Sequence, residues 1–499
     1  MNRIKPLVLT LAIALSSALA SAAADKPNIV FIFADDMGIG DVSHNGGKAA
    51  TPNIDRLAAE GMRFTDAHTT SSVCTPSRYG LLTGRYSWRT HLQSSVYFDP
   101  HDKPLIAKEQ STVASLLKGA GYHTGCIGKW HLGIGWQFKE GFERSKNQPG
   151  QGWDIDYTQP AVTPTSHGFD YFFGIQASLD MAPYVYIEND RATAPGTVTK
   201  AFHRKGAAAA DFEAVNCLRD FASKSVTYLD QRAAEREKPF FLYLPLTSPH
   251  TPIVPSPDWA GKSDIGSYGD FIMETDWVVG QVLASLDKHD LTKDTIVLFA
   301  TDNGCSPAAK IDELVRKGHK PNGDLRGHKA DIYEGGHRVP FIVRWPGITA
   351  AGAKTDRLTS FSDFYATVAD VTGSKMNPAD GVDSVSFLRT LKGVPEPPRS
   401  AIVNHSIGGS FAIRDGDWKL CMCPGSGGWS EPRPGKEAKD APRIQLFNLA
   451  TDPAETENLE AKHPEQVTRL TALLESFVKN GRSTDGPAQK NDAEIDIHK

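Results

Sequence analysis

Cysteine is scarce. Six residues in a chain of 499 are far too few for a disulfide-built scaffold, so a hydrophobic core must hold the fold. After the first two dozen residues no apolar run of membrane-spanning length follows, which leaves nothing else to anchor the chain in a bilayer. Positive charge is not in excess either. The 54 Lys and Arg stand against 59 Asp and Glu, a net of −5 with no basic block, which argues against nucleic acid as the main partner. Apolar residues are plentiful at 40%, enough for a sizeable core, and the 44 Gly and 32 Pro indicate a loop-rich globular chain rather than a helical bundle.

The N-terminus has the form of an export signal. Arg3 and Lys5 precede a short apolar stretch from Leu7 to Leu19, and Ala20-Ser21-Ala22 offers the small-x-small pattern of signal-peptidase sites. Residues 1–24 therefore read as a signal peptide on an exported protein, periplasmic or secreted, with no stable membrane anchor. No cysteine lies near the cleavage region, so lipid anchoring is not expected there. The six cysteines are Cys74, Cys126, Cys217, Cys305, Cys421 and Cys423. Cys421-Met422-Cys423 lacks a second pair to complete a tetrahedral metal site, and reads as a strand with ordinary thiols or one disulfide.

Four apolar runs share one shape. Ile29 to Phe33 ends at Asp35-Asp36, and Thr295 to Ala300 ends at Asp302-Asn303-Gly304. Phe240 to Leu244 runs into Ser248-Pro249-His250. Tyr122 to Ile127, after a short helix that Ser111 is placed to cap, runs into Lys129-Trp130-His131. Continuous β-branched and aromatic runs alternating with amphipathic stretches predict an α/β fold with a large, mostly parallel or mixed sheet sandwiched by helices. Ligands of such sheets bind beyond the carboxyl ends of the strands, where all four runs deliver polar residues. The texture changes near Pro395. Residues 25–395 read as the catalytic domain, and 396–482 as a smaller antiparallel α+β subdomain. Its strands are expected near 401–403, 411–414, 418–422 and 445–449, and its helix over 465–478. Residues 483–499 read as a polar, mobile tail.

Asp35, Asp36, Asp302 and Asn303 offer only oxygen donors, which suits Ca²⁺ or Mg²⁺ rather than Zn²⁺. Cys74-Thr75-Pro76-Ser77-Arg78, followed by Leu81-Leu82-Thr83-Gly84, resembles the signature of the sulfatase family. The resemblance runs from Pro27-Asn28 to the Asp452-Pro453 region. It includes Gly128-Lys129-Trp130-His131, His167-Gly168-Phe169-Asp170, Ser248-Pro249-His250, Asp302-Asn303-Gly304 and Lys329 through Pro340.

Several expectations come with that resemblance. The fold would be alkaline phosphatase-like. A maturation enzyme would oxidise Cys74 to formylglycine (3-oxoalanine), whose hydrate attacks sulfur. One Ca²⁺ would be held by Asp35, Asp36, Asp302, Asn303 and modified Cys74. Arg78, on the first helical turn, would orient the nucleophile, and Lys129 and Lys329 would grip sulfate oxygens. His131 would act as the base of the collapse step, and His250 as the acid for the leaving alcohol. The substrate would be a sulfated sugar or an aryl sulfate. The alternatives are a phosphomonoester or phosphonate hydrolase of the same superfamily, or an unmodified carbohydrate-binding homologue. His167 and His337 read as hydrogen-bonded loop residues, and Asp180 and Tyr184 as candidates for lining a sugar pocket.

If the helix start bearing Cys74 packs against the sheet edge, oxidation precedes stable folding. Protein made in a host without the maturation enzyme is then expected to be inactive but folded, with an intact Cys74 thiol. A disordered circular dichroism spectrum of that material would contradict this.

Overall fold

A computed structural model of the protein describes residues 26–142 and 151–498, and the leader read at residues 1–24 lies outside them. The four apolar runs form adjacent strands: β1 (Asn28–Ala34), β2 (His123–Lys129), β3 (Phe240–Pro245) and β4 (Thr295–Thr301). They lie in the order β4-β1-β3-β2 and every pairing among them is parallel. Ile29 sits between Phe241 and Ile296, and Phe241 sits beside Thr124. All of β3 and β4 is buried, as parallel strands covered on both faces require. On one face Phe31 meets Phe364 of the helix Asp363–Thr372, with ring centroids 4.8 Å apart.

Among the described residues the full sheet has ten strands. Beyond β4 come Phe341–Arg344 and Met62–Phe64, both antiparallel to their inner neighbours, and then Ala353–Thr355. Beyond β2 come Tyr171–Ile175, parallel, and the short strands Ile187–Glu188 and Arg191–Ala192, antiparallel. The sheet is thus mixed, with a parallel centre.

The short helix Val113–Gly119 is capped by Thr112 rather than Ser111. Thr112 Oγ1 accepts the Ser115 N–H at 3.0 Å and Ser115 Oγ accepts the Thr112 N–H at 2.8 Å, a reciprocal cap, while Ser111 is engaged by the Tyr365 hydroxyl at 2.7 Å.

A second sheet is an antiparallel meander of β5 (Ile402–His405), β6 (Phe411–Asp415), β7 (Trp418–Cys421) and β8 (Gln445–Asn448). The helix Pro464–Lys479 lays Leu470, Leu474 and Phe477 on it, and Tyr86 and Trp88 from the main body join the same apolar cluster. All six cysteines are unbridged thiols.

The tail differs from its reading. Residues 483–498 dock onto the body: Asp492 pairs with Arg85 at 2.9 Å, its N–H donates to Arg89 O at 2.7 Å, and Ile497 is buried. The segment is polar in bulk, but Asp492 pairs with Arg85 and Asn491 accepts from Arg89, both arginines more than 400 positions away in the chain, a match that local composition does not display.

Arg89 ties these parts together. Its guanidinium, fully buried, pairs with the equally buried Asp383 at 2.7 Å, and also donates to Phe477 O and Asn491 Oδ1. Asp383→Ala would strand a buried cation and is expected to cost about 3–5 kcal/mol, whereas Asp492→Ala removes an exposed carboxylate from an arginine that keeps its bonds to the Tyr79 hydroxyl and Lys490 O, and should cost under about 1 kcal/mol. Denaturation midpoints of the two variants check this, and equal losses would refute it.

Candidate active site

The four central strands end within reach of one another, and the charged residues that follow them meet in one buried cluster. Asp35 and Asp36 follow β1, Asp302 and Asn303 follow β4, Lys129 closes β2, and His250 lies beyond β3. Lys129 Nζ is 2.6 Å from Asp35 Oδ2, and Lys329 Nζ is 2.6 and 2.8 Å from the two oxygens of Asp36. Arg78 Nη2 is 2.7 Å from Asp302 Oδ2 and 3.8 Å from Asp35 Oδ1. The Asn303 amide donates to Asp36 Oδ1 at 2.8 Å, and His250 Nε2 stands 3.7 Å from Asp36 Oδ2.

The backbone is bent to make this possible. Asp36, His131 and Ala330, the last beside Lys329, have positive φ of 64°, 58° and 82°. Side chains held in the left-handed region cost energy and gather where a site over-determines them. Gly128, at φ 134°, lets the end of β2 close on β3: a Cβ there would lie 1.9 Å from Pro245 O. Cys74 opens the helix α1 (Cys74–Thr83), so Arg78 falls on its second turn rather than the first. Cys74 is buried beside Val73, Val96 and Ala330, and burial pushes its thiol pKa up against the pull of Lys129 and Lys329.

Burial raises every carboxylate here, and the neighbouring charges decide the outcome. For Asp35, burial is outweighed by Lys129, His250 and Arg78, and the pKa falls. For Asp36, it is outweighed by Lys329 and His250. For Asp302, burial and the adjacent Asp35 prevail over Arg78, and the pKa rises. The pKa of His131 is held well below normal by burial and Lys129. Its Nε2 faces Tyr97 O at 2.8 Å, which assigns the proton there and leaves Nδ1 with no hydrogen-bond partner among the described residues. The structure therefore brings together Asp35, Asp36, Arg78, Lys129, His250, Asp302, Asn303 and Lys329, with Cys74 and His131 at the same centre.

Two buried acceptors are left over, Asp35 Oδ1 and Asn303 Oδ1, neither with a hydrogen-bond partner among the described residues. Asp35, Asp36, Asp302 and Asn303 offer oxygen donors, and His250 brings a ring nitrogen within 4.8 Å of ligand oxygens of Asp35 and Asp36. A hard divalent cation fits such a set. His68, Glu334 and His337 also come this close. Lys419 stands 3.0 Å from Glu334 and 3.2 Å from His337, and Arg414 pairs with Asp66, the partner of His68, so this second group is a neutralised seam under the smaller sheet.

A cavity of roughly 300 Å³ opens above Cys74, His250 and Lys329. Asp180 lines it, as expected, but Tyr184 does not: its ring packs on Phe202 and its hydroxyl donates to Arg204 O. His167 and His337 stay out of it. Phe98, His203, Arg204, Ile407 and Trp429 also line the cavity, and sequence reasoning missed them. They come from distant parts of the chain with no shared motif: Phe98, Ile407 and Trp429 from loops, and His203-Arg204 from the start of the strand Arg204–Ala208.

A family model described as Sulfatase matches residues 27–374. The N-acetylgalactosamine-6-O-sulfatase of Bacteroides thetaiotaomicron is 36% identical, across 90% of this chain and 93% of its own. The chain belongs to the sulfatase family. Arylsulfatase A of Bos taurus is 33% identical, across 90% of this chain and 86% of its own. A solved structure from the metabolism of multiple glycosaminoglycans by B. thetaiotaomicron superposes with a TM-score of 0.77 at 33% identity, covering 91% of this chain and 99% of that one. The phosphonate monoester hydrolase of Agrobacterium radiobacter, 18% identical with a TM-score of 0.56, shares the fold alone. Family membership makes the protein a sulfatase, a hydrolase of sulfuric esters.

His167 serves the sulfatase fold. Its ring stacks on Trp130 at 6.0 Å, Nδ1 has no hydrogen-bond partner among the described residues, and burial depresses its pKa to about 4. The folded chain keeps it neutral while the unfolded chain protonates it near pH 6.5. Its contribution is therefore complete above pH 6.5 and lost as pH falls towards 4. His167→Phe should lose about 1.6 kcal/mol less stability than the parent between pH 6.5 and pH 5. Unfolding midpoints at both pH values test this, and identical slopes would refute it.

Proposed function

We infer that this sulfatase releases inorganic sulfate from a sulfated sugar or an aryl sulfate in the cavity above Cys74. In this reading a maturation enzyme has converted Cys74 to formylglycine, and one Ca²⁺ is held by Asp35, Asp36, Asp302 and Asn303. Two buried oxygens carry the reading. Asp35 Oδ1 and Asn303 Oδ1 lack donors, within a cluster whose three carboxylates merely balance Arg78, Lys129 and Lys329. A divalent cation satisfies both oxygens and leaves the cluster positive, which suits a sulfate ester and the dianion it releases.

When bound, the cation supplies charge that favours the ionised form of a nearby hydroxyl. The hydrated aldehyde supplies two hydroxyls on one carbon, one to displace the alcohol from sulfur and one whose deprotonation expels sulfate. The remaining work falls to this chain's own side chains. Arg78, fixed by Asp302, holds a permanent positive charge beside Cys74, and the N-terminus of α1 adds to it. Lys329 lines the cavity, and Lys129, paired with Asp35, acts on Cys74 from the charged cluster, so two ammonium groups stand ready where charge develops on sulfate oxygens. His131, neutral with its lone pair on Nδ1, takes up the proton of the second hydroxyl. His250 donates its Nδ1–H to Thr251 O at 2.6 Å, so the proton given to the departing alcohol is the one that Nε2 carries in the imidazolium form, and the ring is left neutral afterwards.

Protein from its native host should yield a Cys74 peptide carrying the aldehyde and should turn over aryl sulfate in preference to aryl phosphate. Lys129→Ala should lower kcat/KM by about 10²–10³ with an unchanged circular dichroism spectrum. Ca²⁺ should raise the thermal midpoint of the parent and not that of Asp302→Asn. An unmodified thiol in active protein, a near-normal Lys129→Ala rate, or a midpoint indifferent to Ca²⁺ would each sink the corresponding part.

A further inference from the structure

The cavity's floor is accounted for by the chemistry, but its walls are not. Above Cys74, His250 and Lys329 the lining divides into two kinds of surface. One is apolar: Phe98 and Trp429, 44% and 38% exposed, are large rings turned to solvent at the rim. Trp429 is not loose, because its backbone N–H donates at 2.7 Å to Asp331 Oδ1, two residues beyond Lys329.

The other surface is polar. Asp180 is 4% exposed, its Oδ2 receives the Arg204 guanidinium, and that guanidinium in turn lies over the Phe98 ring at 5.3 Å. Asp180 Oδ1 has no hydrogen-bond partner among the described residues. An acceptor buried without a donor is costly, and a ligand that brings the donor recovers that cost. Arg204 secures one oxygen of the carboxylate and leaves the other for an outside partner.

A pyranose ring has the matching pair of surfaces, C–H groups on its faces and hydroxyl donors on its edge. An aryl or steryl sulfate offers the apolar part but no hydroxyl beside the ester. A site built to bond a substrate hydroxyl discriminates strongly against analogues that lack it, because its own polar group is then left unpaired. The volume, roughly 300 Å³, is at the small end for ligand pockets and admits one ring. We propose that Asp180, positioned by Arg204, accepts a hydrogen bond from a hydroxyl of a terminal sulfated sugar seated against Trp429 and Phe98, and that this contact selects sugar sulfates over aryl and steryl sulfates. The proposal rests on the sulfate-ester reading of the same cavity.

The test uses the matured full-length enzyme. Its kcat/KM is measured on a panel of hexose and N-acetylhexosamine monosulfates, on monodeoxy analogues of the best of them, and on 4-methylumbelliferyl sulfate. Asp180→Asn should lower kcat/KM for the best sugar sulfate at least 100-fold, and the sugar-to-aryl ratio at least 30-fold. One monodeoxy analogue should cost the parent enzyme a similar factor and cost Asp180→Asn no further factor, since the bond is already lost. A parallel fall on sugar and aryl esters, or deoxy and variant losses that multiply, would overturn the proposal. If Asp180→Asn does not fold, the deoxy series on the parent enzyme still decides, because no loss above threefold for any hydroxyl overturns it equally. Failure of the parent to release sulfate from either ester class removes the underlying reading as well. Aryl turnover with an unmoved preference removes the proposal alone.

Discussion

Three carboxylates shut away from water must share one small volume, and the rest of the active centre follows from how they are neutralised. An ion buried without a partner costs several kcal/mol even after relaxation, so Asp35, Asp36 and Asp302 each need a cation, which Lys129, Lys329 and Arg78 respectively supply. The first two acids close β1, Asp302 closes β4, and Lys129 closes β2, so the pairings exist only if those strands lie side by side in parallel. The same constraint bends the chain at Asp36, His131 and Ala330, where positive φ turns side chains into the cluster rather than along the strands. A neutral His131 adds no cation to the three that match the three acids one for one, and His250, 3.7 Å from Asp36, is the one further group whose protonation tips that match.

Much of this was legible in the sequence because the signals are local. A buried parallel strand must be continuously apolar, and its end shows as an abrupt change to Asp-Asp or Asp-Asn. The four strands could be located before anything was known of their order. The mixed outer strands are short and carry no such contrast. The helix cap at Thr112 was misplaced by one residue because Ser111 and Thr112 are chemically equivalent as caps, and only the reciprocal bond with Ser115 separates them. The cavity wall was mostly hidden for a different reason. Phe98 and Trp429 belong to distant loops and Arg204 to the start of a strand, and what unites them is the space they enclose, which has no periodicity or motif. Tyr184 looked equivalent to Asp180 in the sequence, four residues apart, yet one packs against Phe202 and Phe212 and the other faces the cavity.

In the proposed reading, chemistry and recognition are drawn from different lengths of the chain. Every residue of the charged cluster lies between positions 35 and 329, inside the region matched by the family model, whereas Ile407 and Trp429 lie beyond it in loops of the smaller sheet. Such a division would be fragile if the two parts moved independently, because a substrate held by one and attacked by the other tolerates little misplacement. The structure couples them through a few fully buried charges. Asp331, on the segment that delivers Lys329, accepts the N–H groups of Trp429 and Ser430 at 2.7 and 2.9 Å, and Glu334 on the same segment pairs with Lys419 of β7. Floor and wall are therefore fastened to one stretch of backbone. A shift of the smaller sheet would carry Lys329 with it, so the second sheet belongs to the active site as much as the strands that hold the acids do.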